Sequence, residues 1–403
     1  MLTRAARIFE RGASFVGLDF LAHPFWDKYI EYEERQESHD RIYTIHARLL
    51  AIPLHQYARY FERFRSLTES RSVNELIAPD AFSHLRSEYE TAIASGQVPA
   101  LEVERDIRSK VDAIYYELSS NTSAEVTKRW TFEQGIKRPY FHVTELDYPQ
   151  LHNWREYLDF EESEGDVARI TALYERCLVT CALYEEFWLR YARWMSGQEG
   201  KDEDVRIIFM KASTLFVPVS RPGIRLQWAY FEESIGRIDA AEAIHEAILT
   251  QIPDCIEVLI SWANLARRQH GIEEAIRVYT NRIEAPTVDL YTKAALVAEW
   301  AYLLWKTKRS ADEARAVFLK NAQWYADSRM FWERWFQFEI EQPATDADHG
   351  KRVQHVFDEL CSKSRLSIAA KRDLGQIYLG YLVELGDKTS MKTFLKVDRE
   401  LFG

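Results

Sequence analysis

Aromatic residues recur along this chain in a fixed order: one ring, a second three positions later, then an aromatic–acidic pair three positions further on. The order is complete at Trp26, Tyr29, Tyr32-Glu33, at Trp154, Tyr157, Phe160-Glu161, and at Trp332, Trp335, Phe338-Glu339. Trp188, Tyr191, Trp194 keeps it with Met195 in the acidic slot. Partial copies run Trp228, Phe231-Glu232, then Leu259, Trp262, Leu265, then Val297, Trp300, Leu303. Steps of three and three place these side chains on one helical face. This element is called helix A.

A second pattern, helix B, follows each copy. It is clearest at Arg169, Leu173-Tyr174-Glu175-Arg176, with relatives at Ile208-Phe209-Met210-Lys211, Val278-Tyr279 and Val317-Phe318-Leu319-Lys320. The first A position leads the B aromatic by 20 or 21 residues at Trp154–Tyr174, Trp188–Phe209, Leu259–Tyr279 and Val297–Phe318. Trp332 to Phe357 takes 25, because Pro343 to Gly350 adds a longer loop. Taking Arg225 as the first A position of its repeat, successive repeats step by 34, 37, 34, 38 and 35 residues from Trp154 to Trp332. Pro53, Pro218, Pro253 and Pro286 fall where each helix B must stop. Ser310 with Glu313 reads as a capping box, and Asp239 with Glu242 as a similar start signal.

A single helix pair cannot bury two aromatic stripes, but stacked pairs can. Aromatic residues make up 13% of the chain and Gly and Pro together only 26 of 403 residues, which favours helices over a turn-rich β fold. The array divides into repeats over 1–64, an irregular connecting segment over 65–149, and a second array over 150–403. In the connecting segment Val103, Ile107, Val111, Ile114 and Leu118 predict one long amphipathic helix. Thr122 and Glu125 are expected to open a further helix as a capping box, with Arg129-Trp130-Thr131-Phe132-Glu133 in the helix that follows. Arg7-Ile8-Phe9-Glu10-Arg11 is a helix B with no helix A before it, so the array opens mid-repeat. Either upstream repeats are missing or a shortened N-terminus does the capping.

The formal net charge of -11 disfavours extended contact with a phosphate backbone and suits protein partners. No apolar run approaches the roughly 18 residues of a membrane span. Cys177, Cys181, Cys255 and Cys361 form no disulfide framework, which points to a reducing compartment. Cys177 and Cys181 lack a following His or Cys at ligand spacing and read as buried thiols. No phosphate loop, nucleotide fingerprint, nucleophile elbow or zinc-protease motif occurs. Catalytic residues, cofactor, metal and small-molecule substrate are therefore none. Glu33, Glu161, Glu232 and Glu339 recur once per repeat and read as architecture. His46 and His245 occupy the B aromatic slot as packing rings; His142 and His152 carry no metal-ligand spacing.

Both patterns resemble the half-a-TPR (HAT) repeat of RNA-processing proteins. The resemblance implies an all-α, right-handed superhelical solenoid of TPR-like hairpins with a concave face, acting as a scaffold. Three strings lie outside the generic repeat: Phe15-Val16-Gly17-Leu18-Asp19-Phe20; Lys128 to Glu133 leading into Lys137-Arg138-Pro139-Tyr140-Phe141-His142-Val143; and Cys181 to Trp188. They resemble a splicing branch of the family that works with the U1 small nuclear ribonucleoprotein (snRNP) at the 5′ splice site. That resemblance implies a nuclear scaffold with U1 snRNP proteins as partners, corresponding to the C-terminal two-thirds of such a protein or to a short form. A HAT scaffold of mRNA 3′-end cleavage is the alternative within the family, and a TPR-like chaperone adaptor the alternative outside it.

The end of the chain is expected to pair with a second copy. Leu374, Ile377, Tyr378 and Tyr381, with Met391, Phe394, Leu395, Val397, Leu401 and Phe402, leave two final helices apolar. A solenoid must cap its last unit or bury it on a partner. Lys388, Lys392, Lys396 and Arg399 form a basic stripe that is a weak candidate for RNA contact, as are Lys128, Arg129, Lys137 and Arg138. More often such a stripe is a solvated helix face.

Overall fold

A computed structural model describes residues 4–76, 83, 87, 100–343 and 348–403 of the chain. No strand occurs among the described residues. The chain forms two compact units, Met1–Tyr191 and Ala192–Gly403.

In the first unit α1 (Arg4–Val16) carries the helix B pattern of Arg7 to Arg11. It is followed by α2 (His23–Arg35), α3 (His39–Leu49), α4 (Tyr57–Glu69) and α5 (Val73–Leu76). Next come α6 (Ala100–Gly135), α7 (Tyr148–Glu164) and α8 (Val167–Thr180). The unit boundary falls within α9 (Glu185–Ser196). Trp26, Tyr29, Ile45 and Leu49 build one buried cluster with Leu54 and Tyr60. The α7–α8 hairpin shows how the sequence closes a repeat. Asp147 caps α7 by accepting from Gln150 N at 3.0 Å, with Pro149 in the first turn. Gly165 ends the helix in the left-handed region at φ 82°, and Asp166 then accepts from Ala168 N and Arg169 N to start α8.

The connecting segment departs from expectation in one respect. Val103, Ile107 and Val111 do lie on one buried face, with Ile114 exposed, but the helix does not stop. Thr122 and Glu125 open nothing, because both sit inside α6, and Arg129 to Glu133 belongs to that same helix. An N-cap residue sits outside helical geometry, whereas Thr122 lies within a helix that runs unbroken from Ala100 to Gly135. Thr122 instead turns its hydroxyl onto the Leu50 carbonyl. Tyr115 donates to Leu76 O at 2.6 Å, and Trp130 stacks on His55 at 5.3 Å. The last turns of α6 thus act as a helix B towards α7.

The second unit holds α10 (Asp202–Lys211), continued by a π-helical turn (Ala212–Phe216), then α11 (Gly223–Ser234) and α12 (Ile238–Gln251). It goes on through α13 (Ile256–His270), α14 (Ile272–Glu284), α15 (Leu290–Lys306) and α16 (Ala311–Asn321). It ends with α17 (Arg329–Ile340), α18 (His349–Lys363), α19 (Ile368–Glu384) and α20 (Ser390–Phe402). Helices A and B fall in the register read from sequence, and Pro53, Pro218, Pro253 and Pro286 each lie just past a helix end. Two start signals differ from the expected boxes. Ser310 occupies the N-cap position without a side-chain cap bond, while Glu313 pairs with Lys308 at 2.8 Å. Asp239 lies inside the first turn of α12, where a carboxylate still favours the helix dipole.

Candidate protein-interaction surfaces

Three kinds of side-chain contact recur where the aromatic pattern is kept, most of them tying helix A to the helix B before it. The first is the helix A glutamate. Glu161 takes a forked pair from Arg129 on α6, Nε to Oε2 at 3.0 Å and Nη2 to Oε1 at 2.9 Å, and a further bond from Arg169 on α8 at 2.8 Å. Glu232 is gripped the same way by Arg206 (2.7 and 2.9 Å) and Glu339 by Arg315 (2.7 and 3.1 Å). Glu33 receives Arg41 at 3.3 Å. Burial raises the Glu232 pKa, yet the bonds from Arg206 and Trp228 outweigh it and hold the carboxyl below its usual range. The carboxylates are buried joints between helices.

The second contact is the indole at the first A position. Trp26 donates to Gly17 O at 3.0 Å, Trp188 to Ala182 O at 2.7 Å and Trp332 to Ala326 O at 2.9 Å. Each carbonyl lies just past the end of the preceding helix, where such groups lack an intrahelical partner. Trp154 is likewise fully buried. In the third contact, the second A aromatic stacks on the preceding B ring: Tyr29 on Phe9 at 4.8 Å, Tyr157 on Phe132 at 5.0 Å, Tyr191 on Tyr174 at 4.6 Å and Trp335 on Phe318 at 5.8 Å. Tyr29, Tyr157 and Tyr191 then donate to Glu10, Glu133 and Glu175 on that same preceding helix. Phe209 and Tyr279 are buried, while Trp228, Trp262 and Trp300 are half-buried. His46 and His245 are buried rings bonded to Ile42 O and Ala241 O.

Outside these joints the surface is unevenly apolar. In the first unit a groove of about 500 Å³ runs between the α1–α2 connection and α8. Phe15, Val16, Leu21 and Val179 stand exposed along it, with Pro139 at one end. Its floor is charged but internally paired: Arg169 with Glu161, and Arg176 with Glu133 at 2.6 Å and Asp19 at 3.4 Å. The groove therefore joins two of the strings that exceed the generic repeat. Tyr140, Phe141 and Val143 are exposed on the loop after α6.

At the C-terminus α20 folds back on α19. Leu374, Tyr378, Tyr381 and Val397 are thereby buried within the chain's own core, and Ile377, Phe394 and Leu401 pack against it half-covered. What remains exposed is Met391, Leu395 and Phe402. Lys388, Lys392, Lys396 and Arg399 are all exposed, with Lys396 3.9 Å from Glu400. In the other basic group three of the four side chains have partners within the chain, while Lys137 is exposed. Arg129 is buried in its carboxylate pairs, Lys128 bonds Glu125 and Glu164, and Arg138 is turned onto Thr144. Such committed cations offer little to a phosphate.

Cys177 and Cys181 are buried, and burial, followed by their mutual hydrogen bond, pushes the Cys177 thiol up. No cluster of three metal-ligating side chains occurs among the described residues. The arginines that grip the glutamates escape a reading of the sequence alone. A signal is nonetheless present in the eight-residue offset of Arg41 from Glu33 and of Arg169 from Glu161.

The fold has a counterpart in the crystal structure of CstF-77, with a TM-score of 0.60, 13% identity, and coverage of 98% of this chain and 76% of that one. Pre-mRNA-processing factor 39 of Schizosaccharomyces pombe is 44% identical over 98% of this chain and 68% of its own length. The human protein of that name is 33% identical over 77% of this chain and 49% of its own length. The family described as PRP39 N-terminal HAT repeat matches residues 2–66, and that described as PRP39 C-terminal HAT repeat matches residues 127–268. The same repeats that lock through Glu33 and Glu161 are thus those the family shares, and the chain belongs to the Pre-mRNA-processing factor 39 family.

Proposed function

We propose that the chain is a nuclear scaffold of pre-mRNA splicing that holds proteins of the U1 small nuclear ribonucleoprotein for 5′ splice-site recognition. The observation that carries this reading is the 44% identity to a Pre-mRNA-processing factor 39, over an alignment that spans 98% of the chain. The surface chemistry supports it. The residues of the repeat pattern are spent inside the repeats, and the exposed surface carries apolar side chains, paired charges and one basic stripe of Lys388, Lys392, Lys396 and Arg399. With a net charge of -11, RNA contact is indirect or weak. The same reading includes a homodimer through α19 and α20, in which Met391, Leu395 and Phe402 meet the second copy.

Affinity purification of the tagged chain from nuclear extract, with RNA and protein identification, tests the reading. Recovery of U1 RNA with its proteins is expected. Recovery of cleavage factors instead would favour 3′-end processing, to which a 21% identical relative, cleavage stimulation factor subunit 77 of Arabidopsis thaliana, also points.

A further inference from the structure

At the first A position of its repeat, Arg225 stands where Trp26, Trp154, Trp188 and Trp332 stand in others. Like the indoles it donates to carbonyls at the end of the preceding helix. Its guanidinium reaches Pro218 O at 3.1 Å, Val217 O at 2.8 Å and the Ser213 carbonyl. It does not supply the indole's bulk. Leu259 and Val297, also smaller than Trp, are sealed in the core at their own repeats. Beside Arg225 the space stays open, as a cavity of about 590 Å³ between the π-helical turn and α12.

Three further features meet at this cavity. Ser213 is among the lining residues and is 92% buried, and its hydroxyl has no hydrogen-bond partner, an arrangement native proteins seldom leave unanswered. The turn itself is π-helical over Ala212–Phe216, a geometry that concentrates at functional sites. At its rim Leu215 is 70% exposed, although a large apolar side chain gains by burial.

We propose that this cavity is a docking pocket for an aromatic side chain, Trp or Phe, carried on an extended segment of a partner protein. The ring takes the volume that the missing indole leaves and covers Leu215, and the segment's backbone answers the Ser213 hydroxyl. Arg225 at the base offers a guanidinium to the ring, a pairing the chain already uses where Arg282 lies 5.1 Å from the Trp262 ring and Arg48 lies 5.2 Å from that of Trp26. A small-molecule occupant would leave Leu215 on the rim uncovered, which favours a chain segment.

The test uses the purified full chain and a phage-displayed random dodecapeptide library, with selected peptides measured by fluorescence polarisation. Selected peptides are expected to share one Trp or Phe anchor. Their affinity is expected to fall at least tenfold for Arg225→Trp, which restores the repeat's own indole and plugs the pocket while keeping the melting temperature. Leu215→Asp, a change on the exposed rim, provides the second variant should Arg225→Trp fold poorly, and is expected to weaken binding by a similar factor. Ser213→Ala is expected to cost a few-fold. Failure to select any peptide, peptides without an aromatic anchor, or affinity unchanged in folded Arg225→Trp or Leu215→Asp would each overturn the proposal. None of these outcomes bears on recovery of U1 RNA from extract, so the splicing assignment stands or falls separately.

Discussion

Arg129 and Glu161 lie 32 residues apart in sequence and meet through a forked pair in which each side chain is only 2% exposed. Removing one partner of such a pair leaves the other charge buried, which typically costs about 3–5 kcal/mol. Arg129→Met is therefore expected to lower the urea midpoint strongly, with Arg169 compensating only in part. A midpoint within experimental error of the unaltered protein would show that α6 and α7 are not joined this way.

Trp188 separates two contributions that truncation alone would merge. Trp188→Ala, like Trp154→Ala, is expected to cost about 3–5 kcal/mol as a large aromatic truncation in a core. Trp188→Phe keeps a ring but leaves Ala182 O without its donor, with an expected cost of about 1–3 kcal/mol. Equal losses in Trp188→Ala and Trp188→Phe, read by denaturant melts, would contradict the division.

Burial pushes the imidazoles of His46 and His245 below their ordinary value of 6.5. As pH falls past that value the unfolded chain takes up protons at both sites before the folded chain does. Stability is therefore full above it and lost below. The urea midpoint is expected to fall between about pH 7.5 and 5.5, and the slope to flatten in His46→Leu/His245→Leu whatever its absolute stability. An identical slope in that double variant would assign the pH dependence elsewhere.

The proposed dimer is tested without deleting α20, which the chain needs to cover Leu374 and Tyr378. Met391→Glu/Leu395→Glu changes exposed positions alone. Light scattering is expected to give a dimer mass for the unaltered chain at micromolar concentration and a monomer for the double variant, with melting temperatures alike. A monomer in the first case, or a dimer in the second, rules out this surface.

RNA affinity is expected to be weak. Filter binding to a short 5′ splice-site RNA at physiological salt should show nothing below micromolar, because the buried arginines are already paired. Sub-micromolar, salt-sensitive binding that disappears in Lys392→Glu/Lys396→Glu would instead make the exposed C-terminal stripe an RNA contact.

Periodic features were the legible ones. Spacing placed Trp26, Trp154, Trp188 and Trp332 on helix A and Tyr174, Phe209 and Phe318 on helix B, because packing on one face imposes a period the sequence must carry. Contacts set by tertiary geometry were not legible. Thr122 followed by Glu125 has the composition of a helix start, yet propensity cannot tell a start from the middle of a helix already running. Arg129 looked like a surface cation because only the fold brings Glu161 to it. Arg225 was visible as a break in the tryptophan series. The cavity beside it was not, since a π-helical turn over Ala212–Phe216 leaves no signature in residue type.

Helix α6, 36 residues and so about 54 Å long, sets a kinetic problem that the short hairpins do not. Its contacts with Leu50, Tyr43 and Tyr57 are made by residues 72, 72 and 66 positions away. The α7–α8 hairpin, by contrast, closes through Glu161 and Arg169, eight apart. Ring closure grows costlier with the logarithm of the segment enclosed, and non-local pairing slows folding accordingly. The pairs α2–α3 and α7–α8 can nucleate on their own, each within its local stretch of chain. Docking of α6 onto the earlier helices is therefore expected to be a late step in folding of the first unit, and until it happens the apolar face of Val103, Ile107 and Val111 stands open to water and to other chains.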